Sequence, residues 1–506
     1  MMKIKKYIIN NQSTSFKFLQ ILVMNIIFLC VVCFGKLYNG SKAELVIVFS
    51  FYVGMMFLLI VYLFVHVKPH IYVFLFLMII GGLLVFAQPI LNVPDEVAHF
   101  ARAEVTSRGA FFIPPKEELH ETIQSVVDLS DEVQNIYTQS NVRGQEIDYS
   151  KAYISHIAAS NFFLMYIPQA IGVTFAKLLG LNVIWLLWLA RFFNLLTYAL
   201  IIMLAIKLAP RLKMLLFMVA SLPMSVQQAA SCSPDALINA TGILLIAYFL
   251  FLYNGIKRNI FVKDIVLFWL ISVMATVFKV TNIFMAGLVL LLPYKNFGSK
   301  RKSYIYKIAI IFSVITMGGL YYLYTASFVG NLEQNIYLES VGVDPVEQIH
   351  YIVNNFEIWL KNFGSALIYQ MAYYIDNLNC FGWLEYSYPI LTPLMTFLFA
   401  KICFQEEGYK FTILNKVLLF LMCIGIYAST CFALFLNWTP VGASDMQGVQ
   451  GRYFIPLIGL LGLLFTGEKA MTKAHKSETD KMHMVDVILI LGMACAMSII
   501  MTLTYY

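Results

Sequence analysis

Apolar runs of roughly twenty residues recur along nearly the whole chain, and they leave few folds open. A run of that length matches the hydrocarbon core of a bilayer once it is helical. In lipid, backbone N–H and C=O groups must be paired within the segment or within a closed barrel. The short alternating segments of a membrane barrel are absent, so the runs are expected to be helices. Charge content agrees: 12% of the 506 residues are charged and 60% are hydrophobic, against about 25% charged in a soluble domain. The reading is an all-α polytopic membrane protein.

The net charge of +7 does not point to nucleic acid. The basic residues fall in short hydrophilic breaks, as the positive-inside rule predicts. With the basic N-terminus MMKIKKYIIN inside, expected spans are 18–35, 43–66, 70–91, 183–208, 212–231, 236–254, 264–279, 281–294, 305–327, 387–403, 411–436, 453–467 and 485–504. That makes about thirteen crossings. No small-residue cleavage site follows the first run, so it is expected to be retained rather than removed as a signal peptide. Two hydrophilic segments then lie outside, 92–156 with eleven acidic residues and 328–386. Both are expected to carry short interfacial helices, as is 157–180, which contains Pro168. The chain divides into added N-terminal helices (1–69), a membrane core (70–470), and a cytoplasmic loop with a last helix (471–506). Cys30, Cys33, Cys403, Cys423, Cys431 and Cys495 sit in or beside apolar runs as packing residues. Cys232 and Cys380 both face the expected exterior, which leaves a disulfide between them open.

Five polar motifs fall on that exterior face. Asn92-Val93-Pro94-Asp95-Glu96-Val97-Ala98-His99-Phe100-Ala101-Arg102 reads as a helix capped by Asn92 with Pro94 in its first turn. Asp95, His99 and Arg102 would then share one face. A carboxylate there suits proton abstraction or a divalent cation such as Mg or Mn, with Asp95, Glu96 and His99 as ligands. The competing reading is a capped interfacial helix with an internal ion pair. In the second motif Asp235 can cap the next span, while Gln227, Gln228 and Asn239 are polar at membrane depth, where side chains seldom face lipid. Phe278-Lys279-Val280-Thr281-Asn282 parts two short apolar stretches, placing Lys279 either at a cavity floor or snorkelling to the interface. Glu385 lies among aromatics that suit either a sugar ring or an ordinary interfacial belt. Finally, Gln450-Gly451-Arg452-Tyr453 offers a guanidinium beside flexible backbone, suited to phosphate or to pairing with a loop carboxylate. Together they describe an anion-and-hydroxyl site.

Pro94-Asp95-Glu96 with Ala98–Arg102, Ser231–Asp235 with Asn239, and Gln450–Tyr453 resemble the bacterial membrane-protein family DUF2142 over about residues 70–470. That family in turn resembles GT-C glycosyltransferases, multi-helix enzymes using polyprenyl-phosphate sugars outside the cytoplasmic membrane. The resemblance implies a hexosyltransferase passing a sugar from such a lipid donor to a cell-envelope polysaccharide. It also implies a catalytic or metal-binding carboxylate at Asp95, with Glu96 beside it. His99, Arg102, Gln228, Asp235, Lys279, Glu385, Gln450, Arg452 and Tyr453 are the substrate-binding candidates, with Lys279 and Arg452 toward the lipid phosphate. One departure is that 157–169 has a lone Pro168 where relatives often have a Pro-rich, Tyr-containing stretch. A glycan polymerase or ligase, a lipid-linked glycan transporter, and a non-catalytic envelope scaffold stay open as alternatives.

Overall fold

A computed structural model describes residues 42–65, 67–113, 120–131, 144–154, 158–253, 259–326, 338–384, 391–467 and 482–505, with shorter stretches between 14 and 29. Six of its helices are long and apolar enough to cross a membrane: Glu44–Val65, Pro69–Ala87, Val183–Leu208, Asp235–Tyr253, Lys300–Ala326 and Ile413–Trp438. Shorter apolar helices include Phe163–Leu178, Val280–Leu291, Leu391–Gln405 and Gly451–Phe465.

In chain order the first elements are α1 (Lys42–Ile60), α2 (Pro69–Ala87), α3 (Glu96–Ser107), β1 (His120–Ile123), α4 (Gln124–Asp131), β2 (Lys151–Ile154), α5 (Ile167–Leu178) and α6 (Val183–Leu208). Then come α7 (Lys213–Ala220), α8 (Pro223–Ala229), α9 (Asp235–Tyr253), α10 (Val262–Phe278), a 3-10 stretch Val280–Gly287 running into α11 (Leu288–Leu291), and α12 (Lys300–Ala326). The remainder is α13 (Pro345–Asn354), α14 (Phe356–Tyr369), α15 (Met371–Asn377), α16 (Leu391–Gln405), α17 (Ile413–Trp438), a 3-10 turn Gly451–Phe454, α18 (Ile455–Phe465) and α19 (Met484–Tyr505).

Helix α9 is the axis of the bundle. Its apolar window is 83% buried, while that of α12 is 17% buried. A helix apolar on all sides must be covered by protein or by lipid. The first condition holds for α9, packed on α6 and α10. In α12, Ile305, Ile308, Phe312, Ile315 and Leu323 face outward instead, which suits contact with acyl chains. Helix α5 packs on α6 so closely that a Cβ on Gly172 would lie 2.2 Å from the Leu189 carbonyl oxygen. Only glycine allows that approach.

Two expected spans change. The run 212–231 is two short helices, because Ser221 and Leu222 break it and Pro223 starts α8 with its missing N–H in the first turn. The stretch after Lys279 is mainly 3-10, since Lys279 itself is extended (φ −152°, ψ 109°). The fold is all-helical as expected apart from one short ribbon, β1 and β2, which pair antiparallel with Thr122 opposite Ala152 inside the first hydrophilic segment. The open question of a disulfide is answered: Cys232 and Cys380 are buried thiols not joined to each other. In the second hydrophilic segment the short helices α13 to α15 form as the sequence suggests. Asp344 caps α13 by accepting the Val346 and Glu347 N–H groups at 2.8 and 3.0 Å.

Candidate functional site

The polar motifs meet at one end of the bundle, where α3 and α9 begin, α10 ends, and the Gly451 turn enters α18. Helix α3 starts at Glu96, not at an Asn92 cap, and Asp95 occupies the cap position in a left-handed conformation (φ 62°, ψ 11°). That region is uncommon for a residue with a Cβ and costs on the order of 1 kcal/mol. The Asp95 side chain makes no capping bond. It turns to Arg452 instead, with Oδ2 accepting from Nη2 at 2.5 Å. Strain is thus held where a carboxylate is aimed.

Arg452 gathers the motifs. Its Nη1 donates to the Pro94 carbonyl at 3.2 Å and lies 3.4 Å from Asp235 Oδ2. The Arg452 side chain is 3% exposed and that of Asp95 is 44% exposed. The cation is therefore buried behind a carboxylate that solvent and ligands can reach. Next to it, the Tyr453 ring lies 4.2 Å from Lys279 Nζ and 5.2 Å from the Arg452 guanidinium carbon. A ring face attracts cations, so Tyr453 fixes both. Lys279 Nζ also donates to the Tyr453 carbonyl at 3.2 Å. Among the described residues no carboxylate sits within ion-pair distance of Lys279. The turn that carries Arg452 and Tyr453 is held by the Gly451 N–H, which donates to Asn377 Oδ1 at 3.2 Å. A Cβ on Gly451 would lie 2.1 Å from the Tyr374 carbonyl oxygen, so the turn can approach α15 only with glycine there.

Glu96 stands in a different environment from Asp95. It is fully buried, with Oε2 2.6 Å from Arg191 Nη2 and Oε1 accepting from Arg191 Nε at 2.8 Å and from the Cys232 N–H at 2.9 Å. Arg191 also donates to the carbonyls of Val85, Gln88 and Pro89. Asn194 Nδ2 reaches the Ser231 and Ser233 carbonyls at 2.7 and 3.0 Å, and Gln169 donates to Asn194 Oδ1 at 2.9 Å. Gln88 donates to the Ala230 carbonyl at 3.0 Å. Irregular backbone between α8 and α9 thus has its polar groups paired by side chains, as backbone buried at membrane depth requires. Sequence reasoning missed Arg191, Asn194 and Gln169. The available signal was a guanidinium inside an otherwise apolar run, a position that calls for a partner.

The remaining candidates separate. His99 Nδ1 is 2.8 Å from the Tyr166 hydroxyl. Arg102 turns to the end of its own helix, donating to Thr106 Oγ1 and to the Ala110 and Phe111 carbonyls, so it orders the following loop. Gln228 is buried in α8 with Oε1 unpartnered, and the buried Oε1 of Gln450 is also unpartnered. Glu385 lies outside the described residues. Asp95, Glu96 and His99 do not converge as metal ligands, because they are committed to Arg452, Arg191 and Tyr166. Among the described residues no three His, Cys, Asp or Glu side chains form a group fit for a metal ion.

A family model described as "Predicted membrane protein (DUF2142)" matches residues 75–461, which include Asp95, Asp235, Lys279, Arg452 and Tyr453. No curated protein and no solved structure matches the chain.

Proposed function

Because the chain belongs to the DUF2142 family of predicted membrane proteins, we propose that it is a GT-C-like glycosyltransferase of about thirteen spans. Its cluster would lie at the extracytoplasmic face of a bacterial membrane. It would move a sugar from a polyprenyl-phosphate donor to a cell-envelope polysaccharide. The observation that carries this reading is the pairing of a reachable carboxylate, Asp95, with a buried guanidinium that orients it, beside the separate cation of Lys279.

Asp95 is the base. It takes the proton of an acceptor hydroxyl as that oxygen forms a bond to the anomeric carbon. The bond from that carbon to the phosphate oxygen breaks, and its electrons leave with the polyprenyl phosphate. Lys279, with no carboxylate within ion-pair distance among the described residues, supplies the charge that stabilises the leaving phosphate. A single displacement inverts the anomeric configuration. Arg452 holds Asp95 in place, and Asp235 braces Arg452 from its other side. Glu96, with both oxygens engaged, positions the turn between α8 and α9 rather than reacting. Compositional analysis of the surface glycan from a deletion strain tests the class. The reading expects one sugar to be missing, and an unchanged composition would leave a transporter or scaffold as the better account.

A further inference from the structure

Helix α9 runs away from the cluster from Asp235, and two segments pack on it: the 3-10 stretch that follows Lys279 and α18, which follows Arg452. Their residues can be matched by depth. Asn239 lies four helical residues beyond Asp235, about 6 Å at helical rise and on the same face. Asn282 lies in the first turn of the 3-10 stretch that Lys279 leads into, its N–H donating to the Lys279 carbonyl at 2.9 Å. One step further, a Cβ on Gly242 would meet Pro456 Cβ at 2.7 Å and Met285 Cε at 3.7 Å. Gly242 follows Asn239 by one turn, and Met285 follows Asn282 by one 3-10 turn, so both amides face the seam that this apolar contact closes.

Both amides are 1% exposed. The Nδ2 of Asn239 and both Nδ2 and Oδ1 of Asn282 have no hydrogen-bond partner, nor does the buried Nε of Arg452 just above. Native proteins rarely leave several such groups unpaired side by side unless something else satisfies them. The chemistry of the level is specific: neutral amides that both donate and accept, beneath a carboxylate and two cations. Hydroxyl groups match amides in both senses.

We infer that Asn239 and Asn282 form a buried amide subsite that binds the hydroxyls of a hexose ring while Lys279 holds the attached phosphate. The subsite rests on the transferase reading above and names where the donor sugar sits. It is tested with purified protein in detergent, titrated with farnesyl phosphate and with farnesyl phosphate carrying glucose, galactose, mannose or N-acetylglucosamine. The full chain is expected to bind one hexose-bearing probe about tenfold tighter than farnesyl phosphate, the scale of a few buried hydrogen bonds. Asn239→Leu and Asn282→Leu are each expected to erase that preference, leave farnesyl phosphate binding unchanged, and unfold at the same or a higher temperature. No preference with any of the sugars, or a preference that survives in both variants, overturns the subsite and leaves the phosphate reading standing. Earlier unfolding of both leucine variants also overturns it, because the amides would then serve the fold. Failure of the full chain to bind farnesyl phosphate itself overturns the subsite and the donor reading together.

Discussion

Replacing Arg191 with methionine removes a guanidinium that is 0% exposed from a carboxylate that is also 0% exposed. Glu96 keeps the Cys232 N–H at 2.9 Å. The carbonyls of Val85, Gln88 and Pro89 lose donors at 3.3, 3.1 and 2.8 Å. Breaking a buried pair from one side costs about 3–5 kcal/mol, and the orphaned carbonyls push toward the upper end. Glu96→Met strands the guanidinium instead, but those carbonyls still solvate it, so its cost falls toward the lower end of the same range. The double variant removes both charges and is expected to be more stable than Arg191→Met, with a coupling of about 2 kcal/mol or more between the two sites. Equilibrium unfolding in mixed micelles of graded SDS content measures all three. A cost under about 1 kcal/mol for Arg191→Met, or additive costs in the double variant, would refute the claim that this pair ties the α8–α9 turn to α2 and α3.

Asp95→Gly relieves about 1 kcal/mol of backbone strain but leaves the buried Arg452 guanidinium with Asp235, at 3.4 Å, as its remaining carboxylate. It should therefore lower stability by a net ~1–2 kcal/mol, discounted for the half-exposed carboxylate, while abolishing transfer; unfolding and glycan assays on one preparation check both, and a stability gain would show that the ion pair contributes less than the strain. Gly451→Ala should cost several kcal/mol in the same unfolding assay, since its methyl would stand 2.1 Å from the Tyr374 carbonyl oxygen. Lys279→Met should lower turnover of a lipid-phosphate sugar by about 100-fold or more if Lys279 faces the leaving phosphate, and turnover within a few-fold of the natural chain would place the phosphate elsewhere. In the β-ribbon, hydrogen bonding from Lys151 and the nearby Arg108 hold the Glu121 carboxyl below the usual carboxylate range. Its contribution to stability is therefore present above the unfolded carboxyl pKa and fades as pH falls through the lowered one. Glu121→Gln should flatten the acid limb of a stability profile, and an unchanged limb would show that the contact contributes nothing.

How far the site was legible follows from where its charges sit. Asp95, Asp235, Lys279 and Arg452 stand at the ends of apolar runs, so hydropathy and charge placement find them and suggest that they share an end. Their pairing was not legible. Asn92 and Pro94 read as an ordinary helix start, and local pattern cannot foresee that tertiary pairing with Arg452 holds Asp95 in a left-handed cap. Glu96 and Asp95 look alike in sequence, and only the position of Arg191, far along the chain, separates their environments. The break at Ser221 follows the apolar run Met214–Ala220, and its signal is Pro223, which starts the next helix. Strands β1 and β2 have four residues each, too few for an alternating pattern to stand out.

The central claim is that Asp95 performs sugar transfer. It is tested most directly in a deletion strain complemented with the natural chain or with Asp95→Asn, both quantified in the membrane fraction, by measuring the sugar composition of the envelope glycan. The account predicts that the natural chain restores the missing sugar and that Asp95→Asn, present at the same level, restores none. Full restoration by Asp95→Asn would contradict it.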